Sequence, residues 1–433
     1  MRRSQAQSRH VLKLLRAFES QNVTFIAADG SWPIVWDHAR GNYVWDVDGR
    51  RYVDLTAAFG VAAAGHANGR VVRAAKAQMA KLMHAMGDVH PHALKAELAR
   101  ELSRITFERW QRGQRGKTIF CNSGFEAVES ALKTALLATG KRGVVSFAGG
   151  YHGLGYGALA VTHRELFRAP FLSQLPTFGK FLPYPTTRPQ FSSVVREIRK
   201  AFRAHAIGAV LVEPVQGRGG INVPVPEFLP FLRDVCDRNG SLLIVDEVFT
   251  GFGRTGRWFG CEHFGVTPDI ICLGKALTGG FPLSACVGEA ELMDTAWPPS
   301  QGEALHTSTF LGHPVGCAMA LANIAELRSK NLVRTSERLG SYLLQRLQSL
   351  RGSNLSLSPR GLGLMAGVEL RKRDGAPATG DVWQIINDML RRGFIMLPEG
   401  EHGNVLSFTP PLTITRQLLD AVVRNLSEVL QTL

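Results

Sequence analysis

The sequence predicts an α/β fold in which helices cover a mostly parallel β-sheet. Short apolar segments alternate with helical segments from about residue 118 onward, which is typical of chains that form such sheets. Two of these segments, residues 242–245 and 270–273, are apolar throughout, as strands buried on both faces are. Charged side chains follow them, Asp246 and Lys275, and parallel sheets present functional groups at the carboxyl ends of their strands.

Local patterns predict the individual elements in chain order. Residues 44–55 alternate around the dipeptide Asp48-Gly49, which predicts a small antiparallel hairpin. Helical periodicity predicts helices over residues 71–83 and 126–137, and one long helical run from residue 314 to about 350. The predicted strands of the main sheet are residues 118–121, 144–147, 210–213, 242–247, 270–273 and 284–287.

The length of 433 residues predicts two domains, because single hydrophobic cores stop growing at roughly 250–300 residues. We expect residues 59–320 to form a large cofactor-binding domain around the parallel sheet. Residues 1–58 and 321–433 read as mixed strands and helices, so the two chain ends are expected to build a smaller α+β domain together. The active cleft would then lie between the two domains.

The composition limits the classes of partner. The formal charge is +14, but the basic residues are spread along the chain without a nucleic-acid-binding motif. We therefore expect a solvated basic surface that attracts anionic small molecules and no nucleic-acid partner. No apolar run approaches the roughly 20 residues that cross a bilayer, and residues 1–4 do not begin a secretory signal. These features predict a cytoplasmic protein with no membrane partner.

The cysteines and histidines do not predict a metal site. The cysteines show no Cys-x-x-Cys spacing and lie mostly within apolar segments, so they are predicted to be reduced core residues. His84, His90 and His92 lie close together in sequence, but no carboxylate or cysteine cluster completes a ligand set. The six cysteines are Cys121, Cys236, Cys261, Cys272, Cys286 and Cys317.

Asp246 and Lys275 together indicate one cofactor, pyridoxal phosphate. A lysine can hold the aldehyde of this cofactor as a Schiff base, while an acid keeps the pyridine nitrogen protonated. The protonated ring then withdraws electrons from the substrate Cα. Taken alone, Asp246 could instead cap a helix and Lys275 could be a solvated charge at a strand end.

Two further segments carry groups that such a cofactor needs. Residues 118–124 lead from a strand into a helix, where the N–H groups of Gly124 and Phe125 are predicted to bind a phosphate. Tyr151 lies in a glycine-rich frame and is predicted to stack on one face of the ring, with Val248 on the other. The alternatives are an ordinary Ser/Gly helix cap and a packed loop aromatic.

With these motifs the sequence resembles class III pyridoxal phosphate aminotransferases. The matching segments occur in the order seen in that family, and the similarity spans almost the whole chain. They are Asn122-Ser123-Gly124, Tyr151-His152-Gly153, Glu213-Pro214-Val215-Gln216-Gly217, Asp246-Glu247-Val248, Lys275 and Ser308-Thr309-Phe310.

The resemblance implies a fold type I homodimer that binds pyridoxal 5'-phosphate. In this family the residue matching Lys275 forms the internal aldimine, and the one matching Asp246 pairs with the ring nitrogen. The residues matching Gly124 and Phe125 bind the phosphate. Thr309 matches a threonine that reaches the phosphate bound by the neighbouring subunit, so each active site would need two chains.

Three positions depart from the commoner pattern of the family. Phe249 stands where many members carry a glutamine near the ring hydroxyl, so this contact is apolar or comes from elsewhere. Ser407 replaces an arginine that grips the substrate α-carboxylate in ornithine-type members, and Arg218 replaces the glutamate that pairs with that arginine. We hypothesise that Arg218 holds an acidic substrate group, since a guanidinium suits a carboxylate bidentately. A structural ion pair is the alternative.

The predicted site therefore has one catalytic residue, Lys275, and two sets of binding residues. The predicted substrate-binding residues are Arg218 and Ser407. The predicted cofactor-binding residues are Ser123, Gly124, Phe125, Tyr151, Glu213, Asp246, Val248 and Thr309.

These residues predict an aminotransferase that moves an amino group from a small-molecule amine or amino acid to an oxo-acid. An alternative within the same family is a racemase or aminomutase, which the loss of the arginine at Ser407 makes more credible. A basic binding protein without catalysis is a second alternative, against which the Lys275 and Asp246 pair argues. A glycine motif at residues 251–256 matches G-x-G-x-x-G, but neither an apolar helix nor the expected acidic residue follows it, so a dinucleotide site is not predicted.

Overall fold

The structure is a computed structural model that describes residues 6–110, 114–352 and 354–433. Residues 1–4, on which the prediction about a secretory signal depends, lie outside this part of the chain. The strands in chain order are β1 (Trp36–Arg40), β2 (Tyr43–Asp46), β3 (Arg51–Asp54), β4 (Gly116–Cys121), β5 (Gly143–Phe147), β6 (Gly179–Leu182), β7 (Ile207–Val212), β8 (Leu242–Asp246), β9 (Ile270–Leu273), β10 (Ser284–Glu289), β11 (Leu355–Leu362), β12 (Met365–Lys372), β13 (Phe394–Ile395), β14 (Leu397–Glu399) and β15 (Val405–Phe408).

Helices separate most of these strands. In chain order they are α1 (Ala6–Phe18), α2 (Ala57–Gly60), α3 (Gly69–Lys81), α4 (Ala93–Ile105), α5 (Phe107–Trp110), α6 (Gly124–Thr139), α7 (Tyr156–Val161), α8 (Glu165–Arg168), α9 (Arg188–Ala204), α10 (Phe228–Asn239), α11 (Ala290–Ala296), α12 (Pro314–Ser329), α13 (Leu332–Gln348), α14 (Thr379–Arg391) and α15 (Arg416–Gln431).

The main sheet has the strand order β4-β10-β9-β8-β7-β5-β6. Its neighbouring strands are parallel except at β10, which is antiparallel to both β4 and β9. The predicted α/β fold with a mostly parallel sheet is therefore confirmed. The carboxyl ends of β4, β5, β7, β8 and β9 lie along one side of the sheet, which we call the carboxyl edge.

Strand β7 shows why the central strands are apolar throughout. Its residues alternate between two hydrophobic clusters, with Val210 and Val212 on one face of the sheet and Ala209 and Leu211 on the other. The first cluster contains side chains of α10, and the second contains side chains of α6. Helices thus cover both faces, and every residue of β7 is buried.

Two details of the predicted elements were wrong. Strand β6 was not predicted, because it is a short edge strand in which glycine and lysine interrupt the apolar pattern. The predicted helical run over residues 314–350 is two helices, α12 and α13. The break occurs at Lys330 and Asn331, where Asn331 takes a left-handed conformation with φ of +51° that no helix interior allows.

The chain ends meet in two smaller sheets. The predicted hairpin is confirmed as β2 and β3, and β13 from the C-terminal region adds to it in parallel register beside β3. The first small sheet therefore has the order β1-β2-β3-β13, and the second has the order β11-β12-β15-β14. Residues from both ends of the chain thus share one sheet.

Two properties of the whole chain follow from the packing. All six cysteines are buried and unpaired, which confirms the prediction of reduced core residues. Among the described helices, none is both long and apolar enough to cross a membrane.

The glycine motif of residues 251–256 forms turns that precede a short 3₁₀ helix, Gly260–Phe264, and does not open a long helix.

Candidate active site

A cavity of about 400 Å³ lies at the carboxyl edge of the main sheet. Its volume falls within the range of sites that enclose small ligands. Most of the predicted site residues meet here, although they come from distant parts of the chain. The lining residues are Gly124, Phe125, Tyr151, His152, Gly153, Leu154, Glu213, Arg218, Asp246, Val248, Phe249 and Lys275.

Lys275 lies just beyond β9 and projects into the cavity. Its backbone φ is +42°, a left-handed conformation that costs a non-glycine residue free energy and that occurs most often at functional sites. The amine lies 3.9 Å from the ring centroid of Phe249, so its nearest aromatic contact is apolar. Protein atoms desolvate the amine, and this lowers its pKa to about 8 although Asp246 and Glu213 act in the opposite direction.

Asp246 ends β8, the strand beside β9, and is held by two hydrogen bonds. The Val248 backbone N–H donates to Oδ1 at 3.0 Å, and Nδ1 of His152 lies 2.8 Å from Oδ2. The His152 and Asp246 side chains are almost fully buried, with exposed fractions of 1% and 6%. The carboxylate is therefore fixed in orientation and shielded from bulk water, as a group that binds a cofactor nitrogen must be.

The amino terminus of α6 lies at the same edge and forms an anion-binding arrangement. The Glu126 carboxylate accepts hydrogen bonds from the backbone N–H groups of Asn122 and Ser123, which stabilises the first turn. Within the described residues, the Ser123 hydroxyl is buried without a hydrogen-bond partner. A buried hydroxyl of this kind and the free N–H groups of a helix start are the groups that hold a phosphate.

Glycines let the walls of the cavity approach one another closely. A Cβ on Gly124 would lie 2.9 Å from Cγ1 of Val248, and one on Gly153 would lie 2.2 Å from Cβ of Phe125. Val248 therefore packs directly against the start of α6. The Gly153 backbone also has a φ of +112°, which favours glycine over any other residue.

Glu213 follows β7 and connects two loops that line the cavity. Its carboxylate accepts hydrogen bonds from the backbone N–H groups of Tyr151 and Gly217, both at 3.0 Å. Burial raises the pKa of Glu213 to about 7, against the lowering effect of nearby His152. Glu213 thus fixes the position of Tyr151, whose ring faces the guanidinium of Arg218 at 5.4 Å.

A charged cluster lies beside Tyr151 and reaches the cavity through Arg218. Nε of Arg218 lies 3.6 Å from Oε2 of Glu399, a residue of β14 that is 5% exposed. Arg164 approaches from a third segment, and its guanidinium donates to the Gly400 carbonyl at 3.3 Å. Arg218 therefore lines the cavity and also has an acidic partner, so both hypotheses for this residue have structural support.

Three predicted residues are not among those that line the cavity. Ser123 is the residue before α6 and adjoins the cavity through Gly124. Ser407 is buried in β15, where it pairs with Gly367 and Leu397. Thr309 lies in an exposed loop.

Among the ionisable residues of the site, sequence reasoning missed His152, Arg164 and Glu399. His152 belonged to a quoted motif, and its place directly after Tyr151 was the available signal. Arg164 and Glu399 carried no signal, because neither belongs to a recognisable motif and each meets Arg218 only through the folding of distant segments.

The histidines do not gather metal ligands in the part of the chain that the structure describes. His92 is hydrogen-bonded through Nε2 to the Gly312 carbonyl at 2.7 Å. His84 packs against the rings of Phe310 and His313. These side chains therefore belong to the packing beneath the loop that carries Thr309.

Comparison with known proteins identifies the family. The aminotransferase class-III family model matches residues 25–430. The chain belongs to the class III aminotransferases. Acetylornithine aminotransferase of Methanosarcina mazei is 38% identical over 399 residues, which cover 92% of each chain. Putrescine aminotransferase of Pectobacterium atrosepticum is 35% identical, over 92% of this chain and 83% of the relative.

Solved structures agree with this assignment. An amine transaminase from an uncultivated Pseudomonas species, in a form described as PLP-bound, has a TM-score of 0.87 and 32% identity, with 95% of this chain and 98% of that chain covered. The class III aminotransferase described here therefore has fold type I and is an enzyme. Its named relatives are aminotransferases, which does not favour the racemase or aminomutase alternative.

Proposed function

We propose that this class III aminotransferase uses pyridoxal 5'-phosphate, held by the cavity at the carboxyl edge, with Lys275 as its catalytic residue. The observation that carries the proposal is the position of Lys275, whose desolvated amine and left-handed backbone lie in the same cavity as the buried Asp246 carboxylate. When bound, the cofactor supplies an aldehyde that condenses with amines and a ring that withdraws electrons from the substrate Cα.

The residues around the cavity fit this cofactor. Ser123, Gly124 and Phe125 would hold the phosphate at the start of α6, where an unpartnered hydroxyl and the helix N–H groups meet. Tyr151 and Val248 would cover the two faces of the ring. Glu213 contributes by fixing the loop of Tyr151.

In this proposal one side chain stabilises a charge on the cofactor ring and another transfers a proton. Asp246, oriented by His152, would keep the ring nitrogen protonated, because a buried carboxylate stabilises a neighbouring cation. Lys275 would remove the proton from the substrate Cα and return it, and its lowered pKa leaves a useful fraction of the amine neutral near pH 8. The Phe249 ring limits the access of water to this amine.

We propose small-molecule substrates, namely an amine donor and an oxo-acid acceptor. Arg218 is the member of the charged cluster that lines the cavity, and its guanidinium suits a substrate carboxylate. We also propose Ser407 as a substrate-site residue, because its strand, β15, lies beside β14, the strand of Glu399. We propose that the enzyme is cytoplasmic.

We also propose a homodimer with shared active sites. Exposed apolar side chains lie along two segments that the fold brings together through a hydrogen bond from Thr307 to Asp88 and a ring contact between His84 and Phe310. Exposed apolar patches of this kind mark interfaces, and a second copy of the chain would cover them and place Thr309 at its neighbour's phosphate. These exposed side chains are Met79, Leu82, Met83, Met86, Val89, Leu305 and Phe310.

The domain division is also a proposal. The large domain would contain the main sheet, and the small domain would combine the two chain ends. The boundary predicted after residue 320 falls inside α12, so we propose to place it at the α12–α13 break, at Lys330 and Asn331.

Replacement of Lys275 tests the proposed function directly. The Lys275→Ala variant should lose at least about 10⁴-fold in turnover, because removal of a covalent catalytic residue removes the main route for proton transfer. Lys330→Ala, at an exposed lysine, is the matched control and should retain wild-type turnover. Borohydride reduction of the holoenzyme followed by peptide mass spectrometry should place the cofactor on Lys275. A cofactor label on another lysine would disprove the assignment.

A further inference from the structure

The pair of Arg218 and Glu399 is close but incompletely bonded. Nε of Arg218 and Oε2 of Glu399 are 3.6 Å apart, too far for a good hydrogen bond. Both atoms are buried, and neither has a hydrogen-bond partner within the described residues. A buried polar atom without a partner costs free energy, so each of these atoms gains from a better-placed ligand of opposite charge.

A second guanidinium makes this cluster positive. Arg164 approaches from the segment before α8. Burial lowers its pKa most, Arg218 lowers it further and Glu399 raises it, so the three charges lie close enough to interact. The buried part of the cluster holds two guanidinium groups and one carboxylate, whereas the Glu401 carboxylate, which also acts on Arg164, is exposed and more strongly screened by solvent. An entering carboxylate is therefore attracted, and an entering ammonium group is opposed.

The cluster lies within reach of a molecule that reacts at Lys275. Arg218 and Lys275 line the same cavity, and the charge of Glu399 acts on the lysine amine strongly enough to affect its pKa. Glu399 belongs to β14 in a small sheet, whereas Arg218 follows β7 of the main sheet. The pair therefore bridges the main sheet and the small sheet on the Arg218 side of the cavity.

We propose that Glu399 is a specificity-determining residue that competes with a substrate carboxylate for Arg218. On this basis the enzyme takes substrates with a carboxylate remote from the reacting carbon, such as ω-amino acids and dicarboxylic oxo-acids. This inference rests on the proposed function at Lys275. When such a substrate binds, Arg218 exchanges its loose contact with Glu399 for a bidentate contact with the carboxylate.

The same pair also adapts the cavity to substrates without a second carboxylate. An Arg218 guanidinium with no carboxylate nearby would oppose a cationic amine donor electrostatically. Glu399 neutralises Arg218 in that state. Glu399 therefore weakens the binding of carboxylates and improves the binding of uncharged chains. The ratio of the two affinities should change when Glu399 is replaced.

Binding of two unreactive probes to the holoenzyme provides the first test. The probes are pentanoate and pentanamide, which have the same length and differ in the terminal charge. Glu399→Gln should tighten pentanoate binding about tenfold, because the competing carboxylate is gone, and should leave pentanamide within about twofold, as calorimetry would measure. Unchanged or weaker pentanoate binding would overturn the proposal.

Two further variants keep the test decisive. Glu197→Gln removes an exposed carboxylate in α9, outside the cluster, and should leave both dissociation constants unchanged, so it controls for a general effect of charge. Arg218→Gln should weaken pentanoate binding about tenfold and not pentanamide binding, and it serves as an independent test if Glu399→Gln does not fold. Equal binding of pentanoate by Arg218→Gln and the wild type would contradict the proposal.

Kinetics distinguish this inference from the proposed function. With 5-aminopentanoate and 1-aminopentane as amine donors, Glu399→Gln should raise the ratio of their kcat/KM values about tenfold, mainly through KM. If the wild-type enzyme converts either donor but Glu399→Gln has the same ratio of kcat/KM values as the wild type, the role of Glu399 is refuted and the proposed function is not. Absence of conversion by the wild type, for these donors and a wider amine panel, would refute the proposed function itself.

Discussion

At the scale of single residues, Lys275 shows how a fold prepares a side chain for chemistry. An ordinary lysine has a pKa of about 10.4 and is almost wholly protonated at neutral pH. Desolvation at the carboxyl edge lowers the pKa of Lys275 to about 8. The protonated amine can neither bond an aldehyde nor accept a proton, so this shift governs the pH range in which the residue works.

The rate at which cofactor-free protein captures pyridoxal phosphate should therefore depend on pH in a specific way. Because the folded pKa is depressed, the neutral amine is scarce below pH 8 and dominant above it. The capture rate should rise about tenfold per unit up to pH 8 and then level off, as followed by the visible absorption of the bound cofactor. Free Nα-acetyl-lysine under the same conditions controls for the ionisation of the cofactor. A rate that keeps rising to pH 10 would show an unperturbed lysine.

At the scale of elements, glycines decide how closely helices and strands approach. Gly340 lies in α13, and a Cβ there would lie 2.0 Å from the backbone of Gly363 in the turn between β11 and β12. Backbone atoms cannot move aside as the end of a flexible side chain can. The contact between this helix and the small sheet therefore depends on a residue without a side chain.

The Gly340→Ala substitution should destabilise the protein by about 1–3 kcal/mol, since an overpacked contact forces the backbone to shift. Gly380→Ala, in α14, is the matched control because no atom lies within 4 Å of its Cβ position. Alanine favours the helix there, so this variant should be unchanged or up to about 1 kcal/mol more stable. Denaturant unfolding of the two variants measures the difference, and equal stabilities would contradict the packing argument.

At the scale of the whole molecule, the position of Thr309 bears on assembly. Thr309 lies in an exposed loop and does not line the cavity of its own chain, while exposed apolar side chains surround that loop. A second chain would bury this surface. The proposed dimer would thus complete both active sites at once.

Mixed dimers test this arrangement. Lys275→Ala and Thr309→Asp should each be nearly inactive alone, the second because an added carboxylate repels the partner's phosphate. When the two variants are unfolded and refolded together, a hybrid dimer has one site in which both positions are wild type. About a quarter of wild-type activity should return, since half of randomly assorted dimers are hybrids with one intact site. No recovery in a mixture that forms dimers would contradict shared sites.

The features of this protein that could be predicted depend on patterns in contiguous residues. The strands that end at Asp246 and precede Lys275 are uniformly apolar, so their burial and the position of both charges at the carboxyl edge followed from pattern alone. Helix α6 was predicted from local periodicity over residues 126–137 and begins two residues earlier, at Gly124. By contrast, the break at Asn331 and the edge strand Gly179–Leu182 were missed, because both depend on single residues that weaken a periodic signal.

The sequence by itself determined the fold class, the family and most of the residues that line the cavity at the carboxyl edge, because hydrophobic periodicity and local motifs act over a few residues. Only the tertiary structure decided which charges meet Arg218. Glu399 and Arg164 reach it from separate segments, and His152, which follows β5, reaches Asp246 at the end of β8 across the intervening strand β7. Contacts of this kind arise from the packing of sheets and loops against one another. A local sequence pattern cannot indicate which distant residue will become the partner of a charged side chain.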